Sequence, residues 1–265
     1  MDNFIIYEQP ISENVRNFLK CEYLNEKFNY FLKQDDIWSI KSSINTLLEM
    51  SDFIFRINIK MELLKEFERN IFFLNYLNDH EEIELNKYDE LYSKIKIHME
   101  ALNNIDSNPS KSINENDFLM QIKSKCHIPA GNNFFDMPAY LNFLSSNKTS
   151  IIDNINNWYS PFSTILSSSI LVLDTKRTIS KFENISQADP YFERKIDKSL
   201  KIDLVRIKLG NNINIYPDIS ASAQNINILF KTSYGKNRLS KVADESINFG
   251  LSISSSSSSS SSSSK

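Results

Sequence analysis

His80, His98 and His127 are the only histidines in the 265 residues, and Cys21 and Cys126 the only cysteines. Any nucleophile and base must be drawn from these five. Cys126 and His127 are adjacent and precede Ile128-Pro129, which makes them the best catalytic candidate, yet no GxSxG-like or papain-like context surrounds them. His98 follows Ile95 by three and precedes Met99, so it reads as a half-buried residue at the edge of an apolar helical face. His80 sits in the run Asp79-His80-Glu81-Glu82, a solvated turn that would hold a metal only weakly. No CxxC pair is present for zinc, and two cysteines make no disulfide framework. Glu62 and Glu66 suggest an acid/base pair, but Lys65 and Arg69 stand three residues further along, the spacing of helix-surface ion pairs. These residues support no enzyme.

Binding chemistry is better represented. Arg16, Lys20, Tyr23 and Lys27 recur at spacings of four, three and four, which puts a guanidinium, two ammoniums and an aromatic ring along one helical stripe. Such a stripe can cradle an acidic, partly apolar peptide. With Glu13, Glu22 and Glu26 nearby it can equally be a solvated edge. Arg194, Lys195, Lys198, Lys201, Arg206 and Lys208 form a second concentration, read either as an outward strand face or as a surface for an acidic partner.

The elements that position these groups follow from hydrophobic period. Ser12 is an expected N-cap, and Val15, Phe18, Cys21, Leu24, Phe28 and Phe31 then mark an amphipathic helix ending near Leu32. Asp35 or Asp36 opens a second helix reaching about Arg56. Leu63 to Leu74 and Tyr88 to Leu102 mark a third and fourth, with short links that make neighbours antiparallel. After a loop at Asn103 to Asn116, shorter helices are expected at Asp117 to Lys125 and Asp136 to Leu144, then at Ile151 to Trp158 and, separately, Pro161 to Thr178. Beyond residue 180 the period becomes alternating. Leu204, Arg206 and Lys208 face one way and Val205, Ile207 and Leu209 the other. Gly210, Asn211 and Asn212 predict a hairpin into Ile213 to Ile219, and Ile226 to Lys231, Ile247 to Ile253 and Phe4 to Tyr7 complete one antiparallel sheet. The fold class is α+β, a helical bundle domain over 11–178 and a smaller antiparallel β-sheet domain from 1–10 and 179–253. The serine run from Ser254, closed by Lys265, is expected to be a disordered tail over 254–265.

Composition bounds the function. The net charge is −3, with 41% hydrophobic and 24% charged residues, as in soluble globular proteins. Four glycines are too few and too scattered for a GxGxxG or GxxxxGK[ST] loop. No apolar run approaches a membrane span and the N-terminus carries no secretory pattern, so a cytoplasmic protein without membrane insertion is expected. Residues 1 to 110 hold 12 Lys plus Arg against 20 Asp plus Glu, and the remainder 18 against 13. That mildly basic second part keeps a non-catalytic nucleic-acid binder as the alternative reading, although no RNP, KH or helix-turn-helix pattern accompanies it.

Residues 7 to 24, YEQPISENVRNFLKCEYL, resemble the N-terminus of the ZapD family of bacterial cell-division proteins. ELLKEFERN (62–70), IPAGNNFFDMPAYLNFL (128–144), LVRIKL (204–209) and IYPDIS (215–220) follow in the family's order and at about its spacing. The IP-x-G-x3-FD-x-P element is the most specific of these. The resemblance implies a helical domain plus a β domain, and a homodimer that binds the C-terminal tail of FtsZ at the division site and cross-links or bundles its filaments in the Z-ring. It implies no catalysis and no cofactor; no metal and no nucleic-acid partner are expected from the residues themselves. Carried over by position, Arg16 and Arg56 match basic positions of the family's tail-binding surface, and Lys20, Lys123 and Arg206 align with further family basics. Ser222, Ala223, Gln224, Asn225, Asp117 and Leu141 stand where relatives carry basic residues, which thins the surface.

Overall fold

The computed structural model describes residues 4–257 apart from 81, 107, 127, 130, 132, 134, 198–199, 211–214, 223–224, 233–240 and 243–245. His127 and the expected turn at Asn211 and Asn212 lie outside the described residues. The chain order is β1 (Phe4–Pro10), α1 (Glu13–Leu32), α2 (Ile37–Phe55), α3 (Ile59–Asp79), α4 (Leu85–Asn104), α5 (Lys111–Asn114), α6 (Asp117–Cys126), α7 (Pro138–Leu144) and α8 (Lys148–Ile179), followed by β2 (Glu183–Gln187), β3 (Tyr191–Lys195), β4 (Leu200–Gly210), β5 (Ile215–Ala221), β6 (Asn225–Thr232), β7 (Lys241–Val242) and β8 (Ile247–Ser257). This is an α+β fold. It divides into a unit holding the strands, Met1–Arg16 with Asp174–Lys265, and a helical unit, Asn17–Leu173.

In the helical unit the expected periodicity becomes a core. Phe18, Cys21, Leu24 and Phe28 of α1 are buried, as are Ile44, Leu47 and Ile54 of α2, Leu63, Phe67 and Leu74 of α3, and Leu91, Ile95 and Leu102 of α4. Asp36 caps α2 by accepting from the backbone N–H groups of Trp38 and Ser39 at 2.9 Å each. His98 is half-buried as expected. Its Nδ1 lies 3.0 Å from Ser168 Oγ, and burial lowers its pKa.

Four local expectations are corrected. The two helical stretches after Lys148 are one helix, α8, with Pro161 inside it. Proline leaves the carbonyl four residues back without its usual donor. That carbonyl is Asn157's, and it accepts instead from the Ser160 hydroxyl at 3.0 Å. The loop 103–116 contains the short helix α5, entered at Ser110, whose buried hydroxyl donates to Ser51 O at 2.8 Å. Glu66 does pair with Arg69, at 3.0 Å, but it is buried rather than on the surface, because α3 turns that flank inward beside Asn70. The strands form two sheets rather than one, which is the fourth correction.

The first sheet has the antiparallel order β1-β4-β8-β2, and the second β3-β6-β5, with β7 also pairing β6. β4 and β5 lie in different sheets, so no hairpin joins them. Alternation is the same whichever strand lies alongside, so it cannot choose partners. One core joins both sheets: Val205, Ile207 and Leu209 from β4, Ile226, Ile228 and Phe230 from β6, and Ile247, Phe249 and Leu251 from β8. The opposite side of β4 is covered too, since Leu204 and Arg206 are both buried. A bulge between Ile202 and Leu204 leaves Asp203 without a partner on β8, and Asp203 O accepts from the N–H of Ile11 at 2.9 Å.

The serine run begins inside this sheet. Ser254 pairs with Leu204, Ser255 with Ile202, Ser256 with Lys201 and Ser257 with Leu200, and Ser254 is buried. An expected tail starting at 254 is therefore wrong for its first four residues. Backbone pairing needs no particular side chain, so serine can continue a ladder that Ile247 to Ile253 has already registered. A chain ending at Ile253 is expected to be less stable than one ending at Ser257 by about 1 to 3 kcal/mol, from the lost ladder bonds. Thermal unfolding of the two truncations checks this, and equal midpoints would show that the serine ladder contributes nothing.

Candidate partner-binding surface

Within the helical unit, α1 and α2 run antiparallel. Lys20 Nζ lies 5.4 Å from the centroid of the Phe53 ring, and Lys27 Nζ lies 2.8 Å from Glu49 Oε2. Lys20 and Tyr23 are exposed, as their place beside the buried face of α1 requires. α2 ends at Phe55, and Arg56 follows as its C-cap, exposed, with its N–H bonded to the last turn. A cation there is favoured by the negative end of the helix dipole. Phe55 is also exposed, at 59%.

The third cation comes from farther along the chain. Lys123 of α6 is ion-paired to Asp52 of α2. α6 is held by its buried Leu119 and Ile122, and Phe118 packs among Tyr140 and Phe143 of α7 and Trp158 of α8. Asp52 stands one helical turn before Arg56. Lys20 and Lys123 thus each bear on the last turns of α2, which end at Phe55 and the Arg56 cap. Among the described residues, Lys20 and Arg56 have no carboxylate in ion-pair contact. This arrangement of two available cations, one partnered lysine and two aromatic rings suits an acidic ligand with an apolar side chain.

The other two candidate positions lie in the unit that holds the strands. Arg16, in the first turn of α1, faces Glu13 Oε2 at 3.5 Å and donates to Pro10 O at 3.3 Å, with its side chain 43% exposed. Arg206 is 6% exposed. Its guanidinium donates to Arg177 O at 2.8 Å, Ser180 O at 2.7 Å and Ser252 Oγ at 3.0 Å, and stacks 4.8 Å from the Phe182 ring centroid. Arg206 is thus a structural anchor and presents nothing to a partner. Of the neighbouring basics expected with it, Arg194 forms a two-pronged pair with Glu183 at 2.7 and 3.1 Å.

The Cys126 thiol donates to Asn45 Oδ1 at 3.2 Å, and burial pushes its pKa up, away from the nucleophilic thiolate. The Cys21 thiol is pushed up by burial to about 12. Among the described residues no group of three His, Cys, Asp or Glu side chains can hold a metal, and no helix is long and apolar enough to cross a membrane. In the IP-x-G element, a Cβ on Gly131 would sit 2.5 Å from Lys125 O, so glycine is what lets this turn fold back on the end of α6.

Asp52 and Phe55 escaped the sequence reading. Asp52 lies 71 residues from Lys123, too far for any local spacing to reveal the pair. Phe55 is one more apolar residue on an apolar helix, although its position just beyond the buried Ile54 stripe was a usable signal.

The chain is similar to cell division proteins along most of its length. A Cell division protein ZapD from Nitrosomonas europaea is 26% identical over 251 residues, covering 95% of both chains. One from Janthinobacterium sp. is 27% identical over 252 residues, covering 95% of this chain and 99% of the relative. One from Dechloromonas aromatica is 26% identical over 226 residues, covering 85% and 89%. The family profile described as ZapD, cell division protein, matches residues 19–229, and with these relatives it places the chain in the ZapD family of cell division proteins.

Proposed function

We propose that this protein is a non-catalytic division factor that binds the C-terminal tail of FtsZ and, as a homodimer, cross-links FtsZ filaments in the Z-ring. The observation that carries the reading is that Lys20 over the Phe53 ring, Lys123 on Asp52 and the exposed Arg56 cap all fall on the last turns of α2, which end at the exposed Phe55. Membership of the family supports the cellular role, and the surface supplies a chemistry for an acidic tail. A tail anchored by a few exposed cations binds weakly on its own. Two such sites on a dimer, facing a polymer that displays many tails, gain avidity through effective concentration. In this reading the protein acts in the cytoplasm at the division site and needs no cofactor.

Arg56→Ala is expected to weaken binding of an FtsZ tail peptide by about 1 to 3 kcal/mol, because a neutral side chain cannot replace charge-assisted hydrogen bonds. Fluorescence anisotropy with labelled peptide measures it. The wild-type affinity should also fall as salt shortens the Debye length from about 10 Å at 0.1 M to about 3 Å at 1 M. Arg69→Ala serves as the control, since that guanidinium is engaged with Glu66. An affinity indifferent to salt and to Arg56, or retention on DNA in place of the tail, would overturn the reading.

A further inference from the structure

The cations of this surface are of two kinds. Lys20 and Arg56 have no carboxylate within ion-pair distance among the described residues, whereas Lys27 and Lys123 are each held by a carboxylate of α2. Those carboxylates are Glu49 and Asp52, three residues apart on one helix and reaching lysines on α1 and α6 respectively. Asp52 is also four residues before Arg56, so its carboxylate lies one helical turn from the exposed guanidinium. The Asp52 and Lys123 side chains keep 32% and 22% of their surface exposed, so water and a ligand can reach the pair.

We propose that Asp52 is an internal stand-in for the ligand's carboxylate, which occupies Lys123 and sets the affinity of the surface for an acidic peptide. This inference rests on the acidic-tail reading above. A ligand carboxylate approaching Lys123 must displace Asp52 or share the ammonium with it, and Asp52 also repels an anion drawn to Arg56. The pair is largely self-cancelling toward an anionic ligand: deleting both members should matter little, and deleting Asp52 alone should tighten binding. The helix therefore holds its own surface below its full affinity, a useful property where avidity, not single-site strength, must decide attachment.

The test is binding of the acidic FtsZ tail peptide to the full chain at 0.1 M salt. Asp52→Asn is expected to bind about three- to five-fold tighter, the range of an exposed ion pair, with the gain shrinking at 1 M salt. Asp52→Asn combined with Lys123→Ala should lose the gain that Asp52→Asn gives alone, and Asp52→Glu, which keeps the carboxylate, should show no gain. Equal or weaker binding by Asp52→Asn, with wild type binding well, overturns this inference and leaves the tail-binding reading intact. Absence of binding by both proteins overturns both. Should Asp52→Asn fail to fold, the wild-type protein still decides: on saturation with peptide the 13C signal of the Asp52 carboxyl must move as its ammonium partner is drawn away. An unmoved signal overturns the inference.

Discussion

Lys176→Ala is expected to destabilise the unit that holds the strands by about 3 to 5 kcal/mol, the cost of leaving one member of a buried ion pair alone. Lys176 Nζ lies 2.9 Å from Asp203 Oδ2, and the two side chains are only 5% and 4% exposed. The pair ties the last turns of α8 to the bulge in β4, whose carbonyl at Asp203 also receives the N–H of Ile11. Alanine would strand the Asp203 carboxylate where water cannot solvate it. The pair itself is a weak source of stability, because desolvating two charges offsets most of their attraction. Replacing both, as Lys176→Met with Asp203→Leu, should therefore recover much of the loss. Urea unfolding of the three proteins gives the comparison. A single-variant loss below about 1 kcal/mol, or a double variant as unstable as the single, would show that the charges are solvated.

The second large effect concerns Arg206. Its guanidinium supplies donors to two main-chain carbonyls, at Arg177 and Ser180, and to the Ser252 hydroxyl, which itself donates to Ser180 O at 2.9 Å. Arg206→Ala would leave buried acceptors unmade and open a void beside Phe182, at an expected cost of about 3 kcal/mol in stability. Arg206→Lys should recover only part of the loss, since all three acceptors converge on the single nitrogen Nη2 and an ammonium placed there lacks the planar group that lies over the Phe182 ring. Measured on the folded fraction, tail-peptide affinity should be unchanged in Arg206→Ala. Arg56→Ala should do the reverse, keeping the melting temperature and losing affinity. A folded Arg206→Ala that binds poorly would return this residue to the binding surface.

Both arginines follow an apolar stretch in sequence, yet only one faces outward. The difference lies in what covers the far side of the element. Arg56 caps a helix whose end meets solvent, so the charge that suits the dipole is also the one available to a ligand. Arg206 sits on the strand face that alternation marks as polar, but the end of α8 is laid over that face, and its last carbonyls need donors. Alternation reports which residues share a side. It does not report whether that side is wet.

By itself the sequence determined the features that depend on near neighbours along the chain. Apolar spacing of three and four marked α1 to α4, Asp35 or Asp36 bounded the start of α2, where the structure selects Asp36, and the change of period near residue 180 marked the passage from helix to strand. Only the tertiary structure decided what depends on residues brought together from afar. The partition of the strands into two sheets, the docking of the first serines of the tract against β4, the pairing of Lys123 with Asp52 and the burial of Arg206 all join segments dozens of residues apart. A repeating pattern carries only the face a residue takes. Which element covers that face is set by packing the whole chain, and here that choice separates an arginine that holds the fold from one exposed to solvent.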